Sequence, residues 1–481
     1  GRRFRADLGP LTRALRDELA GVAWETIDFA AHREDLASSD VIAPPGIALR
    51  GLRLALRAWE GIHPARLRGR ALALCFERIL GEQRASAYQG LSPVNALLNC
   101  LAILAGDRRH PDLAPSLDGL EHWRWEDAAE GVRYAGARSN AWDTAFAMRA
   151  LGECALASGC EDAGRPAAGA LRRGYAFLRD TQLTVELRGY REEHRDPVLG
   201  GWCFSDGAHR WPVSDCTAEA VSALLAAHDT YGSALPAAER IPRARLAQAA
   251  EFILSRQNAD GGFGTYERRR GPAWLDALNP SEMFRDCMTE RSYVECTASA
   301  VAALSHLSAA DPALATPPWA SAVARGVAFL RRAQRPDGSV AGFWGINFTY
   351  GIFHFVKGLR AAGVPSADPA LARAVAWLMA HQRADGGWGE HHRGCLEGRY
   401  VEHPESQAVM TAWALLALME VPGPEAEPVR RGIEWLIARQ RDGGGWPPEA
   451  VNGVFFGTAM LDYRLYRSYF PAWALARYAR A

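Results

Sequence analysis

Hydrophobic residues recur along the chain in two alternating patterns, and each pattern predicts a different kind of helix. In the first, stretches rich in Ala and Leu carry almost no charge, as in residues 298–304, so the helix is apolar nearly all round. Such helices are buried inside a protein. In the second, aromatic and aliphatic residues share an amphipathic stretch with Arg, as in residues 373–378. This second pattern predicts helices that cover the buried ones.

A threonine followed by Ala or Tyr marks the start of each buried stretch. The six marking residues are Thr144, Thr217, Thr297, Thr349, Thr411 and Thr458. Between most of them lies an amphipathic stretch that ends in Gln, usually followed by Gly and Trp. These glutamines are Gln182, Gln257, Gln334, Gln382 and Gln440. Gly-rich turns such as residues 385–387 then end the outer helix and reverse the chain.

The alternation predicts an all-α protein whose main part is an α/α (α6-α6) toroid. Each helix pair can bury its apolar face only against its neighbours, and closure removes the exposed ends. An open α-solenoid is the alternative, but its inner helices normally show polar concave faces, whereas these show Trp, Phe and Cys. We assign residues 136–481 to the barrel. Residues 1–135, with helical patterns at 49–59 and 67–79 but only partial repeats, are predicted to be part of an incomplete second α-barrel domain.

Charge and composition narrow the possible partners. The 55 Lys and Arg residues balance the 55 Asp and Glu residues, so there is no electrostatic footprint for nucleic acid. Nine cysteines show neither a CxxC pair nor a zinc-ligand spacing, and they indicate a reduced, intracellular protein without a metal site. No apolar run approaches the roughly 18–20 residues that span a bilayer. The chain begins with Gly1 rather than Met, which suggests part of a longer protein.

The Gln, Gly and Trp repeats resemble the QW motifs of the triterpene cyclase family over nearly the whole chain. Within this family, residues 213–219, with the sequence VSDCTAE, resemble the corresponding segment of the oxidosqualene cyclases. Squalene-hopene cyclases have Asp-x-Asp-Asp-Thr-Ala there, and this chain has Val213 and Cys216 at the first and last Asp. Three further segments match the oxidosqualene cyclases, namely residues 142–146, 279–282 and 293–297.

The resemblance implies that Asp215 protonates the epoxide of 2,3-oxidosqualene, with Cys216 and Cys296 as its hydrogen-bonding partners. This chemistry needs a carboxylic acid that is protonated at neutral pH, and burial supplies that property by raising the pKa. A helix N-terminus and hydrogen-bond donors stabilise the carboxylate left behind. Without the resemblance, Asp215 would be interpreted as a helix N-cap and the two cysteines as small buried apolar residues.

The resemblance also implies an aromatic cavity that guides cationic polycyclisation without any cofactor. Aromatic faces stabilise a cation by about 0.5–2 kcal/mol each without bonding to it, and they keep water out. Core packing is the alternative interpretation for each of them. The family assigns the final deprotonation to a His upstream of the residues present here, so no terminal base is predicted. The lining residues implied by the resemblance are Trp142, Phe204, Tyr266, Phe284, Trp344 and Phe455.

Three positions bear on the product. Lanosterol-forming members of the family have Val two residues before the catalytic Asp and cycloartenol-forming members have Ile, so Val213 favours lanosterol. His209 stands where cycloartenol formers have His, and Gly136 falls where either class has Thr or Tyr. A His at that place could favour a different final proton loss, giving parkeol or cycloartenol. We predict lanosterol, with mixed products as the alternative.

Three other functions stay open. A squalene-hopene-type cyclase acts on squalene, but an alkene is a weaker base than an epoxide and should need the Asp-rich acid that is missing here. The β-subunit of a protein prenyltransferase is also an α/α toroid and binds zinc through Asp-x-Cys and His, whereas Asp215 and Cys216 are adjacent. The third is a non-catalytic toroid that binds a lipid or a protein. We expect an intracellular protein bound peripherally, as a monotopic protein, to the cytoplasmic side of a bacterial membrane.

Overall fold

The computed structural model describes residues 9–29, 31–32, 35–128, 131–134, 138–159, 166–231 and 235–481. Before residue 138, the described residues contain five α-helices and one antiparallel hairpin of strands β1 and β2. The helices are α1 (Pro10–Leu19), α2 (Ile47–Ile62), α3 (Ala65–Ala85), α4 (Pro93–Gly106) and α5 (Leu113–Leu120). The strands are β1 (Arg124–Asp127) and β2 (Gly131–Tyr134). Helices α2 and α3 confirm the two helical patterns expected in this part.

Six later helices form a closed ring, in which each helix packs against the next and the last returns to the first. Closure of this ring confirms the predicted toroid. The inner helices are α6 (Asn140–Ala157), α8 (Ser214–Tyr231), α10 (Val294–Ala310), α12 (Phe348–Ala361), α15 (Ala408–Leu418) and α17 (Tyr466–Arg480). All eleven residues of α15 are buried, as the uniformly apolar pattern predicts. A Cβ added at Gly358 would lie 2.8 Å from the Ala298 Cα, so glycine allows α12 and α10 to pack closely.

Amphipathic helices cover the ring from outside. Those in the described residues are α7 (Pro166–Thr181), α9 (Arg243–Ser255), α11 (Pro317–Ala333), α13 (Pro369–Ala380) and α16 (Glu427–Arg439). The glutamine after each of the first four bonds to the first half of the next outer helix. Gln382 Nε2, for example, donates to Gly386 O in its own turn and to Pro428 O in α16, both at 2.8 Å. The repeated Gln therefore ties consecutive repeats together.

The repeated Trp and Thr fix each outer helix to an inner one. The indole Nε1–H of Trp388 donates to Leu378 O in α13, at 2.8 Å, while its backbone N–H donates to Thr411 Oγ1 in α15, at 3.0 Å. Trp202 makes the same two contacts with Leu178 and Thr217. Buried polar groups are costly unless they are paired. The Thr and Trp of the repeat therefore satisfy each other where the chain crosses from the outer layer to the inner layer.

The sixth marking threonine does not begin an inner helix, and that prediction is wrong. Thr458 lies in the turn between β5 (Gly453–Phe455) and β6 (Ala459–Leu461), which pair antiparallel. Phe456 and Gly457 have φ angles of 49° and 67°, a left-handed conformation that a helix interior does not accommodate. The hairpin uses the residues that the repeat would place in a helix, and the sixth inner helix begins only at Tyr466.

The remaining elements are short. Strands β3 (Trp202–Cys203) and β4 (Pro212–Val213) pair antiparallel immediately before α8, and α14 (Arg393–Glu397) lies between α13 and α15. Short 3-10 helices cover Trp24–Thr26, Ser38–Asp40, Glu121–Trp123, Ala237–Glu239, Ala273–Leu278 and Pro312–Leu314. No helix in the described ranges is long and apolar enough to cross a bilayer. The boundary proposed at residue 135 falls within residues 135–137, outside the described residues, and the two-domain division stays a prediction.

Candidate active site

Asp215 lies in the first turn of α8, directly after the β3–β4 hairpin. The preceding residue fixes this position, because Ser214 donates its backbone N–H to Thr265 O at 2.8 Å and its hydroxyl to Gly264 O at 2.6 Å. Asp215 is only 5% exposed. Burial raises the pKa of its carboxyl to about 6, even though the Cys216 N–H and the Cys296 thiol lower it in part. The site therefore favours the protonated acid more than water does.

Two donors contact the carboxyl, one from each predicted cysteine. The backbone N–H of Cys216 donates to Asp215 Oδ1 at 2.7 Å. The Cys296 thiol, at the start of α10, donates to Asp215 Oδ2 with an S–O distance of 3.6 Å. Burial raises the pKa of both thiols well above the ordinary value, so they stay protonated. Protonated thiols are weak donors rather than nucleophiles.

A cavity of about 440 Å³ opens in front of Asp215, and its size suits a small-molecule site. Its wall contains eight of the eleven site residues predicted from the sequence. They are Trp142, Phe204, His209, Val213, Asp215, Tyr266, Trp344 and Phe455. The sulfurs of Cys216 and Cys296 are buried beside the acid rather than in the wall. Phe284 is also outside the wall and packs edge-on against Phe455, with ring centroids 6.4 Å apart.

The aromatic rings of the wall support one another. Trp344 packs against Phe455 at 5.5 Å and against Phe456 at 5.4 Å between ring centroids. Trp142 lies 6.4 Å from Phe204 on another part of the wall. Rings at these separations attract each other beyond simple burial. The cavity therefore combines one buried acid with a stiff aromatic lining, an arrangement that can give a proton to an apolar molecule and stabilise a cation formed from it.

Comparisons with known proteins agree with this geometry. Residues 138–480 match the family model described as the squalene-hopene cyclase C-terminal domain. The chain belongs to this cyclase family. The cyclase chain is 36% identical to the cycloartenol synthase of Dictyostelium discoideum over 475 residues, which cover 98% of this chain and 66% of that protein. It is 35% identical to the lanosterol synthase of Homo sapiens over 490 residues, which cover 99% of this chain and 65% of that protein.

The matched region thus spans about two thirds of the length of these relatives, and the resemblance to the oxidosqualene cyclases is confirmed. Among solved structures, the ent-copalyl diphosphate synthase from Streptomyces platensis matches the cyclase chain with a TM-score of 0.48 and 21% identity. That match covers 79% of this chain and 58% of the other. The toroid itself is established by the closed ring of inner helices rather than by this likeness.

Several cavity residues of the cyclase were missed at the level of sequence. Tyr350, Tyr463 and Tyr466 line the wall, together with Phe456 and Thr265. Tyr350 directly follows a marking threonine, a signal that could have identified it. Tyr463 and Tyr466 could not be found in this way, because the last inner helix was expected to begin at Thr458. Thr265 lies in a loop after α9, where the repeat makes no prediction.

Glu295 is a second buried carboxyl close to the acid. Its Oε1 accepts the backbone N–H groups of Phe343 and Trp344, both at 2.7 Å, and so fixes the main chain that carries the Trp344 indole. Burial raises the pKa of Glu295 to about 7. Its Oε2 has no hydrogen-bond partner within the described part of the chain. Glu295 therefore supports one wall of the cavity and does not line it.

His209 and Val213 lie in the wall beside Asp215, His209 before β4 and Val213 at its end. Burial lowers the pKa of His209 to about 4, so the imidazole is neutral at neutral pH. Its Nδ1 accepts the Trp211 backbone N–H at 3.2 Å. Val213 is 3% exposed and packs tightly in the wall. A change of side-chain size at Val213 would therefore alter the shape of the cavity next to the acid.

Charged residues from three inner helices, α6, α8 and α12, also meet inside the ring. Burial alone would raise the pKa of Glu219, but the positive charges of Lys357 and Arg149 together lower this pKa to about 2. Arg149 bonds to Glu219 Oε2 at 3.2 Å, and Lys357 bonds to the other oxygen. In the described ranges, no group of three or more His, Cys, Asp or Glu side chains is arranged to hold a metal ion. The described cysteines are free thiols, and Cys160 lies outside the described residues.

Proposed function

We propose that this chain carries the acid and the cavity of an oxidosqualene cyclase, a class II triterpene cyclase that needs no cofactor. In this proposal Asp215 protonates the epoxide of 2,3-oxidosqualene. The cavity then guides cationic polycyclisation to a sterol. The observation that carries the proposal is a buried carboxyl of raised pKa that faces a cavity lined by aromatic rings. The names of the relatives, which include lanosterol and cycloartenol synthases, agree with it.

The first step transfers one proton and breaks one bond. The carboxyl proton of Asp215 passes to the epoxide oxygen, the bond from that oxygen to the more substituted carbon breaks, and the oxygen remains as a hydroxyl group. The carboxylate that results accepts hydrogen bonds from the Cys216 N–H and the Cys296 thiol. Both bonds are stronger to an ion than to a neutral acid. They therefore stabilise the charge that develops in the transition state.

An apolar substrate strengthens this arrangement. When it fills the cavity, it displaces water in front of Asp215, and further desolvation raises the pKa of the carboxyl above the value of about 6. The acid is then largely protonated at neutral pH. The same exclusion of water protects the cation from capture. Raising the pKa also weakens the acid, and the two hydrogen-bond donors offset this by stabilising the carboxylate product.

The ring closures then move positive charge along the substrate. Each closure uses the electron pair of a double bond to form a new carbon–carbon bond, and the cation reappears further along. The rings of Trp142, Phe204, Tyr266, Trp344 and Phe455 offer π faces, each worth about 0.5–2 kcal/mol to a nearby cation. The tyrosines of the wall are neutral, since burial raises the pKa of Tyr266 far above its ordinary value. A neutral phenol does not trap the cation as a phenolate would.

For the product we propose lanosterol, with mixed sterols as the alternative. Val213 leaves more room beside Asp215 than an isoleucine would, which favours migration that runs on to the lanosterol cation. His209 argues in the other direction, because a neutral imidazole in the wall can accept a proton from an earlier cation once its Nδ1 releases the Trp211 N–H. Gly136, the third position that bears on the product, lies outside the described residues.

We also propose peripheral, monotopic attachment to the cytoplasmic side of a bacterial membrane, where a lipid substrate would be found. The support is the amphipathic helix α2, which exposes Leu52, Leu56 and Trp59 and also carries arginines. Apolar and basic groups together suit an anionic membrane surface. Binding to vesicles of mixed anionic and neutral lipids, compared with neutral vesicles alone, tests this part. Equal absence of binding to both would contradict it.

The experiment for the catalytic proposal expresses the complete protein in a host that lacks its own cyclase and supplies either oxidosqualene or squalene. A sterol formed only from oxidosqualene supports the proposal. Conversion of squalene would favour the squalene-hopene type of reaction, and metal analysis of the pure protein tests the prenyltransferase alternative. Tight lipid binding without turnover of either substrate would favour a non-catalytic toroid.

A further inference from the structure

Three hydrogen bonds join the indole of Trp344 to Asp215 through two intermediate side chains. The Trp344 Nε1–H donates to Thr265 Oγ1, 3.1 Å away. Thr265 Oγ1 lies 3.3 Å from the Cys296 sulfur, and the Cys296 thiol donates to Asp215 Oδ2 at 3.6 Å. Thr265, Cys296 and Asp215 are all buried. The chain of bonds thus links an aromatic ring of the cavity wall to the acid.

The two ends of this chain of bonds together set the direction of all three. An indole N–H can only donate, so Thr265 Oγ1 accepts from Trp344. The hydroxyl hydrogen of Thr265 is then available for the Cys296 sulfur, which keeps its own S–H for Asp215. All three donors point toward the carboxyl, and hydrogen bonds aligned in one direction polarise one another. The Cys296 thiol has one hydrogen and donates it to Asp215, so the Thr265 hydroxyl is the donor in the middle bond.

We propose that Thr265 is a positioning residue for the protonation step, because its hydroxyl holds the Trp344 indole against the cavity and directs the Cys296 thiol at Asp215. This inference rests on the proposed function, since it takes Asp215 as the acid. One hydroxyl group performs both tasks. The position of the ring that faces the cation and the stabilisation of the carboxylate are therefore coupled.

The other contacts of Trp344 do not fix the orientation of its indole N–H, so this role falls to Thr265. The backbone N–H of Trp344 is held by Glu295 Oε1 at 2.7 Å, so the main chain is fixed independently. The ring packs against Phe455 in a tilted arrangement and against Phe456 edge to face. Among the hydrogen bonds of the described residues, Thr265 is the partner of the indole N–H. Rotation of the indole about its side-chain bonds is the freedom that this hydrogen bond removes.

Thr265 is uncharged, so it is not one of the charged and titratable groups around Asp215. Those groups come from α8, which carries Asp215, from α10 and α12, and from two loops. They are Cys216, Glu219, Glu295, Cys296, Tyr350, Lys357, Tyr266 and Tyr463. Replacing Thr265 by valine keeps every one of these groups. A changed pH dependence in that variant would therefore report the lost hydrogen bonds rather than a lost charge.

The test compares Thr265→Val with Thr265→Ser in the complete enzyme. Valine keeps the shape and removes the hydroxyl, while serine keeps the hydroxyl. Thr411→Val is the matched control, because Thr411 is also a buried threonine whose hydroxyl accepts an N–H of a tryptophan, but it lies at another inner helix. The infrared S–H stretching band of Cys296, identified by its absence in Cys296→Ala, reports the thiol directly. Steady-state kinetics give kcat, KM and the pH profile.

We expect Thr265→Val to move the S–H band to higher frequency and to lower kcat by about tenfold or more, the factor that one pKa unit represents, with KM changed little. We expect Thr265→Ser to restore both. An unchanged S–H band in Thr265→Val would overturn the proposal, as would a serine variant as slow as the valine variant or an equal loss of kcat in Thr411→Val. A failure of the proposed function would give a different result. Asp215→Asn would then keep full activity, while Thr265→Val would still shift the S–H band of Cys296.

Discussion

Trp142 donates its indole N–H to the hydroxyl of Tyr466 at 2.6 Å, and this bond joins the first inner helix to the last. Both residues are buried and both line the cavity. The contact therefore closes the ring at the wall of the candidate active site. Neighbouring pairs in the same seam repeat the connection, since Tyr469 donates its hydroxyl to Asp143 Oδ1 at 2.8 Å.

Removing the Tyr466 hydroxyl should destabilise the barrel. We expect Tyr466→Phe to lower the free energy of unfolding by about 1–3 kcal/mol, because the indole N–H stays buried without an acceptor. Denaturant unfolding of Tyr466→Phe, Trp142→Phe and the double variant forms a cycle that isolates the bond. A double variant whose loss equals the sum of the two single losses would show that the two side chains do not act together.

The acid itself gives the second prediction. Asp215→Asn should abolish cyclisation while leaving the fold intact, because the amide keeps the shape of the carboxyl but has no acidic proton to give. Asp143→Asn is the control, since Asp143 also lies in the first turn of an inner helix but is not part of the cavity wall. Activity of Asp215→Asn within about tenfold of the unmutated enzyme, some 1.4 kcal/mol of barrier, would rule out Asp215 as the proton donor.

The pH dependence follows from the sign of the shift at Asp215. The acid works when protonated, so kcat should fall as the pH rises through the pKa of Asp215, which is about 6 in the free protein and higher with substrate bound. The Cys296 thiol lowers this pKa. Cys296→Ala should therefore move the falling limb to higher pH, and should slow the reaction because the carboxylate product is less stable. A pH–rate profile checks both effects, and a limb that moves to lower pH would contradict the assignment.

The free energy of unfolding should also fall as the pH rises. A carboxyl whose pKa is higher in the folded protein than in the unfolded chain adds most stability at a pH where it is protonated in both states. This stability is lost as the pH rises through the folded-state pKa. Glu449, whose pKa burial raises to about 7, accepts the backbone N–H groups of Ala408 and Val409 at the start of α15. We expect Glu449→Gln to reduce the loss of unfolding free energy between about pH 4.5 and pH 7, on the order of 1 kcal/mol or more. Denaturant unfolding across this range measures it, and an unchanged slope would contradict the shift.

The sequence predicted the toroid because its repeat has a direct physical meaning. A threonine, a glutamine and a tryptophan at fixed intervals supply the acceptors and donors that join one helix pair to the next, as Gln382, Trp388 and Thr411 do. The pattern failed at Thr458, where a hairpin with left-handed residues at Phe456 and Gly457 replaces the expected helix start. Local residues there, and not the repeat, determine the structure.

The candidate site was accessible from the sequence only in part. Asp215 and the aromatic residues carry recognisable motifs, whereas Thr265 and Tyr463 lie in loops whose paths depend on tertiary contacts. Phe284 has the expected residue type, yet it packs edge-on against Phe455 and is not part of the cavity wall. An aromatic residue can line a cavity, or it can pack against another aromatic residue that lines it. These two positions differ by a single layer of packing, and neither residue type nor spacing in the sequence predicts which one a residue occupies.

The last prediction concerns the product. Val213 and His209 line the same cavity as Asp215. Val213→Ile adds one methyl group to a packed surface, and one methylene in a fitted pocket is worth roughly 1–3 kcal/mol of discrimination. That is enough to redirect a cation between competing proton losses. We therefore expect the unmutated enzyme to make mainly lanosterol, and Val213→Ile to shift the mixture toward cycloartenol or parkeol.

His209 supplies the matched test of this argument. Its lowered pKa keeps the imidazole neutral, and its lone pair on Nδ1 becomes a proton acceptor once the bond from the Trp211 N–H is released. His209→Gln removes this nitrogen and should therefore reduce any cycloartenol or parkeol that forms, in the unmutated enzyme and in Val213→Ile alike. Chromatography of the sterols made in a host without its own cyclase compares four proteins, namely the unmutated enzyme, Val213→Ile, His209→Gln and the double variant. If cycloartenol already predominates in the unmutated enzyme, then the room beside Val213 does not set the outcome. Proton removal near His209 would then outweigh the space that the valine leaves.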